Sequence, residues 1–448
     1  MKIKFALILL ILSLVKQNLV TAQEAEQIHV FRGATIFPIS GEPIENGDLV
    51  IRGKKILAVG KTGSVAIPAN AVIHDVKGKV IMPGLVDTHS HIGGGDGGDG
   101  SAPIHPDVRI YDTIDPNNDT FNKARAGGIT TVNVMPGSGH LMSGQTVYLK
   151  LRQKPRKVDD MLFVSNPQKE IIGGLKMANG TNPLRPSPFP GTRAKSAAII
   201  RQLYSKAVDY QSKIKAAKGD SSKLPPRDIM MEPLVEVLEG KRTVHHHTHR
   251  GDDILTVIRI AKEFGYRPVL HHVSEAWKVA KEIAEAKIPC SIIILDTPGG
   301  KLEAAEIKYE NGAVLEAAGV DVAFHTDDGV TDSRVFLRSA ALAVRAGMSK
   351  KKALEGLTLA GAKMLGLENR VGSLDAGKDA DFIILSGDPL SVYSRIEQTW
   401  VEGANVFDYA LPEFRKYAAG GYGVYRGEIF DHYLGGYGET GSQTSNSK

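Results

Sequence analysis

Histidines at short, regular spacings dominate the chemistry this chain can do. His89 and His91 stand at i and i+2 in Gly84-Leu85-Val86-Asp87-Thr88-His89-Ser90-His91, at the end of an apolar run that opens Val80-Ile81-Met82. Alternate side chains of a strand share a face, so the two imidazoles leave the backbone together. Such a pair is half of a divalent-metal site, and imidazole suits zinc and its neighbours. The same parity puts His245, His247 and His249 of Thr243-Val244-His245-His246-His247-Thr248-His249-Arg250 on one face, with His246 opposite. Val269-Leu270-His271-His272-Val273 closes another apolar run, and strict alternation lets only one of its histidines point inward. Val322-Ala323-Phe324-His325-Thr326-Asp327-Asp328-Gly329 puts Asp327 on the face of His325. Taken singly, each has a plain structural explanation, such as Asp327 or Asp328 capping the next helix. Four strand ends carrying such groups together point to one metal-binding crater.

Neutral imidazoles from several strands can hold an ion and leave a position open for water, whose pKa then falls from about 16 towards roughly 7. Asp327 can orient that water, take its proton during attack and return it to the leaving group. The expected reaction is hydrolysis of an amide or similar C–N bond, with esters and lactones as alternatives. His249 and Arg250 lie just beyond His247 and are candidate substrate-binding residues, because guanidinium recognises carboxylates bidentately. Pairing of Arg250 with Asp252 or Asp328 is the competing expectation.

These residues need strand ends gathered at one rim. Short apolar strands alternate with helical stretches between about residues 83 and 370, the pattern of βα units and a parallel sheet. Strands are expected to end near His89, Val134, Lys176, His249, Val273, Leu295 and Thr326. One more falls at Val147-Tyr148-Leu149 or at Met161-Leu162-Phe163-Val164. Helices are expected from Asp252 to Phe264, Ser274 to Ala286 and Ser349 to Leu365. Glycine-punctuated alternating segments open the chain at 27–82, and similar text returns at 371–408, so both ends are β-rich. Pro136-Gly137-Ser138-Gly139-His140 is a glycine-rich rim loop without the ending of a phosphate-binding loop. The stretch Asn179 to Pro226 is an insert, expected as a lid or as a contact between copies in a homo-oligomer.

The 448 residues suit an α/β barrel with an appended module, and a 42% hydrophobic, 23% charged composition is that of a globular enzyme. A net charge of +5 with no basic block argues against a nucleic-acid partner and leaves a small-molecule substrate. Lys2 and Lys4 precede the apolar run Phe5 to Leu12, and Val20-Thr21-Ala22 offers a cleavage site. Residues 1–22 thus read as a signal peptide, whose apolar run is shorter than the roughly 20 residues of a membrane span. The expectation is export to a periplasm or the exterior, with no membrane span after cleavage. Cys290 is the sole cysteine and has no disulfide partner. Residues 409–448, rich in Gly and Tyr, read as a loosely held tail.

The stretch from Val80 to His91 resembles the first-strand signature of the amidohydrolase superfamily. Gly377-Lys378 with Ala380-Asp381-Phe382-Ile383 resembles its closing β-segment. The likeness covers about His29 to Asp408 and is nearest to the imidazolonepropionase-like and prolidase-like branches. It implies a (β/α)8 TIM-type barrel over 83–370 and a small β-sandwich built from 27–82 and 371–408. It also implies metal ligands His89, His91, His247, His272 and Asp327, with Asp327 the acid/base, around one Zn2+ or a second ion besides. Lys176 in Gly174-Leu175-Lys176-Met177-Ala178 resembles the lysine that is carboxylated and bridges two metals in some relatives. Thr181 stands where other relatives have a glutamate and cannot replace it, which favours a single ion. Xaa-Pro dipeptide, lactone and ring-deaminating activities share such a site, as does a metal-free binding module on the same fold.

Overall fold

A computed structural model describes residues 27–95, 98–294 and 301–420. The expected signal peptide, the Leu295 strand end and the segment beyond residue 420 lie outside the described residues. Three sheets organise the rest. The largest has eight strands and draws on both β-rich ends. Its order is Ala404–Asp408, Ile396–Val401, Phe382–Leu385, Val80–Pro83, Ile28–Ile36, Ile44–Arg52, Lys55–Lys61, with Val72–Asp75 also beside Ile28–Ile36. Ile81 pairs with Ile384 and Met82 with Ile383 across the antiparallel junction of the two ends.

The second sheet runs Val322–Phe324, Cys290–Ile292, Pro268–His272, Val244–Thr248, Leu175–Ala178 and Met142–Gln145. Its first five strands are parallel. The last is antiparallel to its neighbour. The third sheet pairs Leu85–Ser90 in parallel with Ile129–Val134, which Val147–Lys150 joins antiparallel. Of the two sites offered for an extra strand, the structure uses Val147–Lys150. It enters in the opposite direction to a barrel strand, while Met161–Val164 keeps a single bridge from Leu162 to Leu149. The second and third sheets thus contribute seven parallel strands among the described residues, in two arcs. Hydrogen bonds join the arcs at both edges. Asp327 N–H donates to His89 O (2.9 Å), and Thr146 N–H to Gly174 O (3.0 Å).

The parallel strands are buried along their whole length, as Val244–Thr248 is, because helices cover their outer faces. Leu85, Phe121, Leu270, Phe324 and Phe336 belong to the main core. Gly84, at the turn into the first of these strands, has no side chain for a packing reason. A Cβ there would lie 2.2 Å from the Thr130 side chain. The Gly251–Phe264 helix carries Asp252 and Asp253 in its first turn, where its dipole favours them, and stops at Gly265 in the left-handed conformation. The expected 274–286 helix is broken into a 3-10 turn at Ala276–Lys278 and a short helix at Ala280–Glu285. The 349–365 helix is likewise split, into Lys350–Gly356 and Leu359–Leu365, by the non-helical backbone of Thr358.

The insert folds around a 24-residue helix, Arg193–Ala216, whose Thr192 side chain caps it by accepting from Lys195 N–H. The C-terminal segment begins with ordered structure within the described residues. Pro412–Ala419 is helical, and Tyr417 is buried with its hydroxyl donating to Asp119 (2.8 Å). No described helix is long and apolar enough to cross a membrane.

Candidate active site

The strand ends of the two arcs gather the predicted histidines. His89 and His91 leave the first strand on one side, with their Nε2 atoms 3.2 Å apart. Asp327 approaches both through Oδ1, at 3.3 Å from His89 Nε2 and 2.9 Å from His91 Nε2. Its residue adopts φ 48°, a left-handed conformation, where the chain turns off the last strand. Behind it, Asp87 accepts from Thr326 N–H (3.0 Å) and Thr326 Oγ1 (2.5 Å), which ties the first strand to the last. His247 and His272 face each other with ring centroids 4.3 Å apart, and His272 is 4.9 Å from His89. The five residues expected as ligands therefore meet at one rim.

Alternation along Pro268–His272 would send only one of its histidines inward, yet both point in. His271 follows parity and reaches His245 Nδ1 through Nε2 (3.0 Å). His272 has φ 68° and Val273 φ 42°, so the backbone leaves the extended conformation at the strand end and swings the second imidazole to the same side. Parity fails there because it holds only while the strand lasts. His246 obeys it and faces away from the crater, among residues such as Leu141 and Ile200.

Three groups of donor atoms lie close enough to share an ion: His89, His91 and Asp327; His89, His272 and His325; and His247, His249 and His272. Sequence reasoning passed over His325, although it shares a face with Asp327, and that shared face was the available signal. Its Nδ1 meets Ser291 Oγ (2.8 Å), and its Nε2 lies 3.4 Å from His272 Nδ1. His249 is buried with Nδ1 on Ser274 Oγ (2.8 Å), so it faces the crater rather than solvent. Arg250 grips Asp252 with two hydrogen bonds (3.0 and 2.9 Å) on the exposed surface, away from the crater. Asn182, unflagged in the sequence, lies 3.3 Å from His247 Nε2 and donates to Ser138 Oγ (2.6 Å), so the glycine-rich loop and the insert meet over the site.

Electrostatics keep the imidazoles of His89, His247 and His272 neutral. Burial, together with Lys176 and neighbouring imidazoles, pushes His89 and His272 well below the usual histidine range. Burial and the ring of His272 do the same to His247. Burial alone would raise Asp327, but His91, His325 and Lys176 outweigh it and hold the carboxyl well below its ordinary value. Lys176 is completely buried, and burial lowers its ammonium to about 7. Its Nζ meets His89 Nε2 (3.1 Å) and Met135 Sδ (3.0 Å).

The donor set fits a divalent ion. His91 Nδ1 meets the Met135 carbonyl (2.8 Å), which fixes the tautomer and frees the Nε2 lone pair. His272 Nε2 and His249 Nε2 are buried with no hydrogen-bond partner among the described residues, which is costly unless something accepts their lone pairs.

Residues 236–411 match the model of the amidohydrolase family. The chain is 36% identical to a crystal structure of an amidohydrolase from Thermotoga maritima MSB8, at a TM-score of 0.78. That match covers 85% of this chain and all (100%) of that one. The chain belongs to the amidohydrolase family and is a metal-binding hydrolase acting on C–N bonds. It is also similar to amidohydrolase tasK of Hapsidospora irregularis, 26% identical over 81% of this chain, of whose length it spans only 40%. Imidazolonepropionase of Alkaliphilus metalliredigens (strain QYMF) is 22% identical over 77% of this chain and 84% of its own length.

Proposed function

We propose that this protein hydrolyses a non-peptide or cyclic amide with one zinc ion held by His89, His91, His247, His272 and Asp327. The observation that carries the reading is the convergence of these five side chains at the strand ends, in overlapping groups close enough to share an ion, with His89, His247 and His272 lowered well below the histidine range and Asp327 held ionised. A bound divalent ion supplies an acidified water and a polarised carbonyl. Asp327, facing both first-strand histidines, is placed to orient the attacking water, accept its proton and deliver it to the departing nitrogen. Asn182, steadied by Ser138, offers an amide at the mouth for the substrate's polar end. His249 completes the wall beside His247.

Two further parts belong to this reading. The two parallel arcs are sectors of one (β/α)8 barrel over 83–370, supported by the Asp327–His89 and Thr146–Gly174 hydrogen bonds at their edges. The β-rich ends, 27–82 and 371–408, form its companion β-domain, supported by their shared sheet. The N-terminal run Phe5 to Leu12 supports export after cleavage near residue 22. N-terminal sequencing of protein recovered from periplasmic and cytosolic fractions tests it.

Metal analysis with a panel of N-acyl amino acids, Xaa-Pro dipeptides, cyclic amides, lactones and amino-purines tests the chemistry. Asp327→Asn should lower kcat by about 10²–10⁴-fold per bound metal ion. Unchanged turnover in that variant removes the mechanism. Ammonia release would mark a deaminase, and lactone preference an esterase-like hydrolase. A two-ion site is the second reading, favoured by the His247, His249, His272 group and by a Lys176 whose ammonium is lowered to about 7, which frees amine to take up carbon dioxide. Metal near two per chain, falling on Lys176→Ala, would establish it.

A further inference from the structure

Back to back with the metal crater, on the outer face of the His247 strand, lies a second cavity of about 380 Å3 under the long insert helix. Pockets for small organic ligands run from about 300 to 1,000 Å3. The strand's own alternation separates the two. His247 faces the crater, and its neighbour His246 faces this cavity. The floor is apolar, formed by Leu141, Ala178, Ile200, Val257 and Tyr266.

Two polar side chains in its lining carry atoms with no hydrogen-bond partner among the described residues. Both ring nitrogens of buried His246 are without a hydrogen bond, and so is Oδ1 of Asn179. A buried amide oxygen and an imidazole left open cost about 1–3 kcal/mol each unless a ligand or water satisfies them. The rim carries charges of both signs. Arg193 and Arg201 are half-buried and paired with Asp253 and Glu263, whereas Arg259 reaches only Thr256 Oγ1 (3.0 Å) and has no carboxylate partner among the described residues. Asp252, paired with Arg250 on its other side, stands exposed on the same rim.

We propose that this cavity is a second ligand site, for a small zwitterion with an apolar side chain, the chemistry of a free leucine or phenylalanine. Arg259 takes the carboxylate, Asp252 and the Asn179 carbonyl oxygen face the ammonium, and the apolar floor receives the side chain. A purely apolar molecule would leave Asn179 and His246 unsatisfied. A simple dicarboxylate would meet Asp252 and Asp253. The site is also wired to the crater strand, because Asn179 N–H donates to His247 O (3.2 Å) and its Nδ2 to Asp253 O (3.0 Å).

Calorimetric titration of the full chain with L-leucine and L-phenylalanine tests the site, alongside leucinamide, which lacks the carboxylate, and 4-methylpentanoate, which lacks the ammonium. At least one amino acid should bind saturably, and each truncated probe should bind about tenfold or more weakly. Ile200→Trp, which fills the cavity, should abolish binding. Arg259→Glu, an exposed change that spares folding, should weaken it by a similar factor. Asp327→Asn and metal-stripped protein should bind as the unaltered chain does. No binding of either amino acid overturns the proposal. So does binding that survives Arg259→Glu, or binding that disappears with Asp327→Asn, which would move the ligand into the crater.

Discussion

Two lysines, both completely buried, occupy opposite kinds of environment. Lys150 sits where the inner strands meet the sheet of the chain ends. Its ammonium touches Asp379 (2.5 Å), Asp381 (2.9 Å) and Glu402 (3.5 Å). Arg152 and Arg370 close the network on Glu402 and Asp379, each at 2.7 Å. Lys176 sits below the crater with a histidine nitrogen and a thioether for company, and burial takes its ammonium down to about 7. The first is a charge matched by the carboxylates around it. The second is a charge the protein does not pay to keep. Buried networks of matched charge hold elements in register, whereas orphaned lone pairs and depressed ammonium groups mark sites prepared for something absent.

That difference is open to direct attack. Lys150→Met leaves three carboxylates facing one another and should cost about 3–5 kcal/mol of stability in denaturant unfolding, with turnover per folded molecule intact. Lys176→Met replaces a near-neutral amine by an isosteric apolar chain and should change stability by about 1 kcal/mol or less. Equal losses in the two variants would erase the distinction.

Acid should find the Lys150 network, and also the crater, whose lowered histidines take up protons on unfolding once the pH falls below their ordinary 6.5. Burial raises Glu402, but Arg152 and Lys150 outweigh it and hold the folded value to about 2, against an ordinary 4.5. Asp379 is lowered in the same way, while Asp381 is raised by its burial and partly offsets them. A depressed carboxylate means the unfolded chain binds more protons in that window. Its contribution is complete above about pH 4.5 and is lost as the pH falls towards 2. Tm measured from pH 6 to 2.5 should drop through this window, and the slope should flatten in Glu402→Gln. The smallest effect belongs to the surface. Arg250→Ala removes an exposed pair and should shift stability by less than about 0.5 kcal/mol and leave kcat/KM unchanged.

Local rules explain what could be read from the sequence. The facing of His89 with His91, and of His247 away from His246, needs only the two-residue period of a strand, and the structure repeats both. The rule broke at His272, where left-handed backbone conformation at a strand end brings in an imidazole that alternation sends out. The Lys150 network was invisible for another reason. Its carboxylates lie 229 and 231 residues away, and nothing local distinguishes Lys150 from any strand lysine. The cavity behind His246 is hidden likewise, since it exists only where the insert helix crosses the strand. Arg250 stood between two expectations, and the neighbouring Asp252 decided it.

The strand Val80–Pro83, which leads into His89, is flanked on one side by Phe382–Leu385, and Gly84 N–H donates to Asp381 O (3.0 Å). The bed of the first two ligands is therefore finished by residues that a ribosome delivers some three hundred codons later. A nascent chain halted before residue 382 carries most of the histidines but lacks the strand that seats the first pair. Activity should thus arrive late and abruptly during synthesis, and prematurely terminated products should be inert rather than partly active.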